Sequence, residues 1–200
     1  MINYSILKSI SEALNNSHII WGIGGSCLLQ LYNLYADPND LDLWVQPSDM
    51  PQVKEIFCDF EELKSNLPLP EEYRFKIKYF DIEVDFIACF ITKPNQHRFE
   101  YKIEPNNIKL IDYEGFKIPC TYLEDWYIIY RLLGRNEKAD LIQNVFESKR
   151  IAINNTAIEA AISDKRVTIP FRIKKDVYDL VTAATQMKIS DYSELGLAVI

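Results

Sequence analysis

Apolar and polar positions divide the chain into segments of two periods. Tyr4, Ile6, Leu7, Ile10 and Leu14 recur at helical spacing, predicting a helix over residues 4–16. Ile19-Ile20-Trp21 predicts a short apolar strand running into Gly22-Ile23-Gly24-Gly25, after which Ser26 is expected to cap and open an apolar helix through Leu34. Asp37-Pro38-Asn39 breaks that helix, and Leu41–Val45 alternates as a strand. A helix is expected near Met50–Phe57. Tyr73–Tyr79 sets Arg74, Lys76 and Lys78 against Phe75, Ile77 and Tyr79, a half-exposed strand, with Ile82–Phe90 as its hairpin partner. A short strand at Phe116–Pro119 precedes helices over Leu123–Leu133 and Lys138–Ser148, either side of Gly134, and a further helix over Asn154–Ile162. The pattern then changes to a strand Arg166–Ile173 and helices Lys175–Lys188 and Asp191–Ile200.

Length and composition narrow the class. Two hundred residues, 48% hydrophobic and 26% charged, fit one globular domain or one domain with an appendage. No run of about 18 apolar residues predicts a membrane span, and the first residues lack a secretory pattern, so a cytoplasmic protein without membrane partners is expected. The net charge of −7 argues against indiscriminate nucleic-acid binding by the whole surface. That charge is uneven: from Ser163 onward six Lys/Arg face five Asp/Glu (+1), leaving 16 against 24 (−8) in residues 1–162. We therefore expect a main domain over 1–162 and a distinct segment over 163–200. Cys27, Cys58, Cys89 and Cys120 form no Cys-x-x-Cys pair and read as buried free thiols in apolar contexts. His18 and His97 are isolated and read as structural or surface residues.

The chemistry concentrates near two motifs. Three of six glycines fall at 22, 24 and 25. Glycine allows close backbone approach to a ligand, and a following helix N-terminus offers free N–H groups to phosphate. Without a ligand, the same residues make a tight strand-to-helix turn. Asp40-Leu41-Asp42 follows at the start of the next strand. Residues two apart on a strand face one way, so both carboxylates converge while Leu41, Leu43 and Val45 face the core. Such a pair repels unless a cation intervenes, and magnesium held by carboxylates and substrate phosphates is the usual arrangement. A third acid comes from Ile82-Glu83-Val84-Asp85-Phe86. Asp85 enters the apolar run most directly, with Asp81 and Glu83 on the same face as alternatives.

A dinucleotide-binding fold competes for these residues, since Gly22-Ile23-Gly24 follows a strand with acids about 20 residues on. Against it, Cys27 stands at the third glycine position, Asp40 and Asp42 begin their strand rather than end it, and βαβ alternation fails after residue 70.

Trp21–Val45, with Gly24-Gly25-Ser26 and Asp40-x-Asp42, together with Val84-Asp85-Phe86, resembles the nucleotidyltransferase superfamily, in particular small bacterial proteins of toxin–antitoxin and abortive-infection type. The resemblance implies an α+β fold, a mixed sheet with flanking helices. It further implies a nucleoside triphosphate on Gly24, Gly25 and Ser26, and divalent ions (Mg2+ or Mn2+) on Asp40, Asp42 and Asp85 as catalytic residues. It continues through Leu123-Glu124-Asp125-Trp126 to Arg135-Asn136-Glu137-Lys138-Ala139-Asp140, departing where relatives carry a helical Lys: Tyr130 stands there, with Arg131 beside it. Arg131, Arg135 and Lys138 are candidates to meet triphosphate charge, or are simply surface charges on helices.

Lys165–Ile200 resembles a ribbon-helix-helix DNA-binding module. Arg166-Val167-Thr168-Ile169, Phe171-Arg172-Ile173, Val177-Tyr178 and Ile189-Ser190-x-x-Ser193-Glu194-Leu195 carry the likeness. It implies a homodimer with paired strands in the major groove, Thr168 and Arg172 toward the bases and Ser190 at a phosphate. Pro170 removes a ladder donor inside that ribbon, and Lys188 replaces the usual helix-ending Gly. Docking of this strand-helix-helix segment on the core is the alternative.

Two functions are thus expected. One is transfer of a nucleoside monophosphate to a hydroxyl of a tRNA, a protein or a small molecule, with antibiotic adenylylation as a further variant. The other is a DNA-binding dimeric regulator or antitoxin whose transferase site is weak or inactive.

Overall fold

The computed structural model describes residues 4–35, 38–65, 69–92, 99–113, 115–148, 150–154, 158 and 169–194. Its elements, in chain order, are α1 (Tyr4–Asn16), β1 (Trp21–Ile23), α2 (Gly25–Leu31), β2 (Leu41–Val45), α3 (Met50–Ile56), β3 (Glu61–Leu63), β4 (Arg74–Tyr79), β5 (Ile82–Ile87), β6 (Phe90–Thr92), β7 (Phe99–Tyr101), β8 (Ile108–Tyr113), β9 (Phe116–Thr121), α4 (Leu123–Leu132), α5 (Asn136–Glu147) and α6 (Phe171–Glu194). The chain divides into two compact units, 1–91 with 100–123, and 92–99 with 124–200. The described residues 169–194 belong to the same unit as α5.

The first unit is built on a sheet ordered β3-β4-β5-β2-β1-β9-β8, while β6 and β7 pair separately. The large sheet is mixed: β1 runs antiparallel to β2 but parallel to β9, and β2 runs parallel to β5. The expected α+β class with a mixed sheet is what forms. The antiparallel β1–β2 pairing also removes the dinucleotide alternative, because a βαβ unit requires parallel strands.

Alternation fixes which face of β2 is core. Leu41, Leu43 and Val45 are buried. On the other face Asp42 is half-buried and Trp44 is buried, its ring 4.9 Å from that of Tyr101, edge-on. An aromatic cluster joins α3 to the β4–β5 hairpin, with Phe57 5.0 Å from Phe86 and Phe60 4.4 Å from Tyr79. The hairpin closes through Phe80-Asp81, with Tyr79 opposite Ile82. Phe80 turns the chain at φ 54°, a left-handed conformation unusual for an aromatic residue, and its ring is exposed. The strands without a clear sequence signal include β3, whose Glu61 and Glu62 are exposed, the three-residue β7, and β8, whose side chains are only partly covered.

In the second unit α5 packs along α6. Glu124, buried in the first turn of α4, accepts the backbone N–H of Asn154 at 2.7 Å. The sequence expectations need correction here. Phe171–Ile173 are helical, not part of a strand Arg166–Ile173, and the two helices separated at 188–191 are one helix as far as Glu194. Residues 166–168 lie outside the described residues, as does most of the helix expected over Asn154–Ile162. The physical reason is visible in packing. Ile169, Ile173, Val177 and Leu180 are buried at spacings of four, four and three, which is a helical stripe. Pro170 stands just before the first turn, where a missing N–H costs nothing, and its carbonyl accepts the Lys174 N–H at 3.0 Å. Among the described residues no helix is long and apolar enough to cross a membrane.

Candidate active site

The site lies in the first unit, where β1, α2, β2 and β5 meet. Parallel pairing of β2 with β5 puts Asp42 directly opposite Asp85. Asp40 immediately precedes β2. One carboxylate oxygen from each of Asp40, Asp42 and Asp85 lies within 4.8 Å of the others. Asp85 is the third acid, and the alternatives separate from it: Asp81 lies in the exposed hairpin turn and Glu83 is largely exposed one pleat further out.

The turn from β1 into α2 is held against this cluster. Gly24 donates its N–H to the Asp42 carbonyl at 3.0 Å and accepts the Leu28 N–H at 3.1 Å, which makes Gly24, not Ser26, the residue that caps α2. The helix ends at Leu31, three residues earlier than its apolar pattern suggests. Gly25 has φ +59°, and a Cβ there would coincide with Asp42 Oδ2 and stand 2.7 Å from Asp42 Cγ. The second glycine is thus required twice, by its backbone conformation and by the carboxylate beside it. Ser26 is buried at the start of the helix. Cys27 donates its thiol to the Asp40 carbonyl at 3.1 Å, tying α2 to the first ligand candidate. Burial, with the nearby Asp42 charge, pushes the Cys27 thiol up to about 12.

Lys76 is a member of the site that sequence reasoning left as a surface charge. It lies directly across from Asp85 in the β4–β5 ladder. Its Nζ is 2.8 Å from Glu83 Oε2 and 3.1 Å from Asp85 Oδ2. Burial works against the Lys76 ammonium, but the hydrogen bonds and charges of Glu83 and Asp85 prevail and hold it protonated. Burial raises the Asp85 carboxyl above its ordinary range, opposed by Lys76 and assisted by the Asp40 and Glu83 charges. Asp85 Oδ1 is buried and has no hydrogen-bond partner among the described residues. A buried carboxylate oxygen left unpaired next to two more carboxylates fits a cation-binding site, since a hard divalent ion takes such oxygens as ligands.

The candidate phosphate-binding cations on the helices belong to the second unit. Arg131 is committed locally: it bonds Asp140 at 2.7 Å, Gln143 at 2.9 Å and Asn136 at 3.2 Å, and its guanidinium lies 5.2 Å from the Tyr127 ring centre. Lys138 Nζ stands 5.7 Å from the ring centre of Tyr130, the residue at the position where a lysine was expected. Arg135 is exposed just before α5. Of the residues assigned to DNA, Thr168 lies outside the described residues and Arg172 is exposed in the first turn of α6. Ser190 lies within α6 and does not begin a second helix.

No protein-family model and no curated protein sequence matches the chain. Solved structures do. A nucleotidyltransferase-described protein of Thermotoga maritima, TM1012, superposes with a TM-score of 0.55 at 20% identity, covering 72% of this chain and 92% of that one. The chain has the nucleotidyltransferase fold. Two further solved proteins share the fold. ANT(2'')-Ia, solved with adenylyl-2''-tobramycin, gives a TM-score of 0.51 at 11% identity over 78% of this chain and 96% of that one. The lincosamide adenylyltransferase LnuA, solved with lincomycin, gives 0.50 at 11% identity over 72% and 98%.

Proposed function

We propose that this protein is a metal-dependent nucleotidyltransferase that moves a nucleoside monophosphate from a nucleoside triphosphate to a hydroxyl acceptor. The observation that carries the reading is the convergence of Asp40, Asp42 and Asp85 beside Gly24-Gly25-Ser26. Three carboxylates brought this close repel one another, and a divalent cation among them would offset that repulsion.

The acceptor oxygen bonds to the α-phosphorus as the bond from that phosphorus to the bridging oxygen breaks, and pyrophosphate leaves with the electron pair. Asp85 is the carboxylate we assign to take the acceptor's proton. Gly25 leaves to the Asp42 carboxylate the space that a side chain would fill. Magnesium or manganese, held by Asp40, Asp42 and Asp85, would neutralise charge on the attacking and departing oxygens. Candidate acceptors are a tRNA, a protein or a small hydroxyl compound of the antibiotic kind, in a bacterial defence or toxin–antitoxin setting.

The test is transfer of α-labelled phosphate from each nucleoside triphosphate to those acceptor classes, with Mg2+ or Mn2+ present. Pyrophosphate release is expected to need the ion and to vanish in Asp42→Ala. Transfer that survives Asp42→Ala undiminished would sink the proposal.

A further inference from the structure

Lys76 bridges two carboxylates that differ in setting. Glu83 and Asp85 are two apart on β5 and so share a face, and Lys76 reaches both from β4. The Glu83 side chain is 55% exposed, whereas that of Asp85 is 8% exposed. The ammonium is thus anchored at the rim on Glu83 and occupies one oxygen of the innermost acid, leaving Asp85 Oδ1 unpaired. A divalent ion between Asp40, Asp42 and Asp85 draws on the carboxylate that Lys76 already neutralises. At about 3 Å from a ligand oxygen, a fixed positive charge repels that ion strongly in a partly buried site.

We propose that Lys76 is the resident counter-cation of the site, a positioning residue that holds Asp85 while no ion is bound and withdraws onto Glu83 when one binds. This rests on the metal-site reading above. Glu83 supplies the second seat, so that the ammonium keeps a partner after it leaves Asp85. Without that seat, withdrawal leaves a poorly solvated charge, and Lys76 stays on Asp85 in competition with the ion.

Mn2+ binding to the full-length protein, measured by calorimetry or by loss of the free-ion resonance signal, tests this without reference to turnover. Lys76→Gln is expected to bind Mn2+ roughly tenfold more tightly than wild type, and Lys76→Arg about as wild type. Glu83→Gln is expected to weaken binding, and in the Lys76→Gln background it should lose more than half of that effect, because Glu83 acts through Lys76. Unchanged or weaker binding in Lys76→Gln overturns the proposal. So does a Glu83→Gln effect that is the same size in both backgrounds, which would make Glu83 an independent charge. Should Lys76→Gln not fold, Lys76→Arg and Glu83→Gln decide: the proposal fails if Glu83→Gln does not weaken binding or Lys76→Arg departs from wild type. Failure of the underlying metal reading looks different. Neither wild type nor Lys76→Gln would then bind Mn2+, or Asp42→Ala would bind it as well as wild type.

Discussion

Gly25 and Asp42 compete for one volume: a side chain on the first would sit where the carboxylate of the second now lies. The helix α2 is brought so close to β2 that only a residue without Cβ permits both the turn and the acid. Gly25→Ala must therefore displace Asp42 or shift the turn, while also adopting a left-handed conformation that costs about 1–2 kcal/mol for an L-residue. We expect metal-dependent transfer to fall by roughly 100-fold or more, the penalty of misplacing a reacting group by about 1 Å. A melting curve run alongside the activity assay should show a still-folded protein. Wild-type activity in Gly25→Ala would mean that this close approach has no part in function.

Asp42 should cost the folded state a charge repulsion that a bound cation relieves. Its carboxylate lies within 4.8 Å of two others. Asp42→Asn keeps the shape and removes one charge, so in chelator it is expected to melt higher than wild type, by about 1 kcal/mol or 2–4 °C. The order reverses with metal. At a Mn2+ concentration of about 100 times its Kd, wild type should gain about 2.7 kcal/mol, a gain the variant loses. Thermal melts with and without Mn2+ check both halves, and equal responses of the two proteins would contradict the assignment of Asp42 as a ligand.

The convergence of the three acids was legible because it depends on local periods. Asp42 and Asp85 lie on strands, and Asp40 just before one, and the apolar neighbours Leu41, Leu43, Val84 and Phe86 declare the core face. Lys76 was not legible because its partnership with Asp85 depends on the register of β4 against β5. That register is set by the Phe80-Asp81 turn, which carries neither Gly nor Asn to announce it. The cap of α2 was misplaced by two residues for a related reason: Ser26 has the better capping side chain, but the bond from Gly24 to β2 fixes where the helix starts. In α6 the failure was one of period. Val167-Thr168-Ile169-Pro170-Phe171-Arg172-Ile173 alternates, yet Ile169, Ile173, Val177 and Leu180 also fit a helical stripe, and packing of that stripe decided between them.

The four cysteines should separate cleanly by reactivity. Cys27, Cys89 and Cys120 are buried as the sequence suggested, whereas Cys58, just past α3, is exposed against that expectation. Burial pushes the thiols of Cys27 and Cys120 up to about 12, so at pH 8 both are protonated and poor nucleophiles. A chromogenic disulfide reagent should titrate one thiol quickly in the native protein and all four in denaturant, with Cys58→Ser removing the fast phase. A second fast thiol would show that the α2–β2 junction around Cys27 opens readily.

Phe171 and Ile173 distinguish the helix from the strand that the sequence suggested. On a strand, residues two apart share a face, so both would be core and their truncations would cost alike. In α6 they are about 200° apart around the axis, and their burial differs accordingly: Phe171 is 82% exposed and Ile173 only 9%. Ile173→Ala is expected to destabilise the protein by about 2–4 kcal/mol, through lost burial and the cavity left behind. Phe171→Ala should change stability by no more than about 0.5 kcal/mol, as exposed substitutions do. Denaturant titration of the two variants reads the difference directly. Equal losses would restore a strand at 171–173, and with it the paired ribbon that a dimeric DNA-binding module needs.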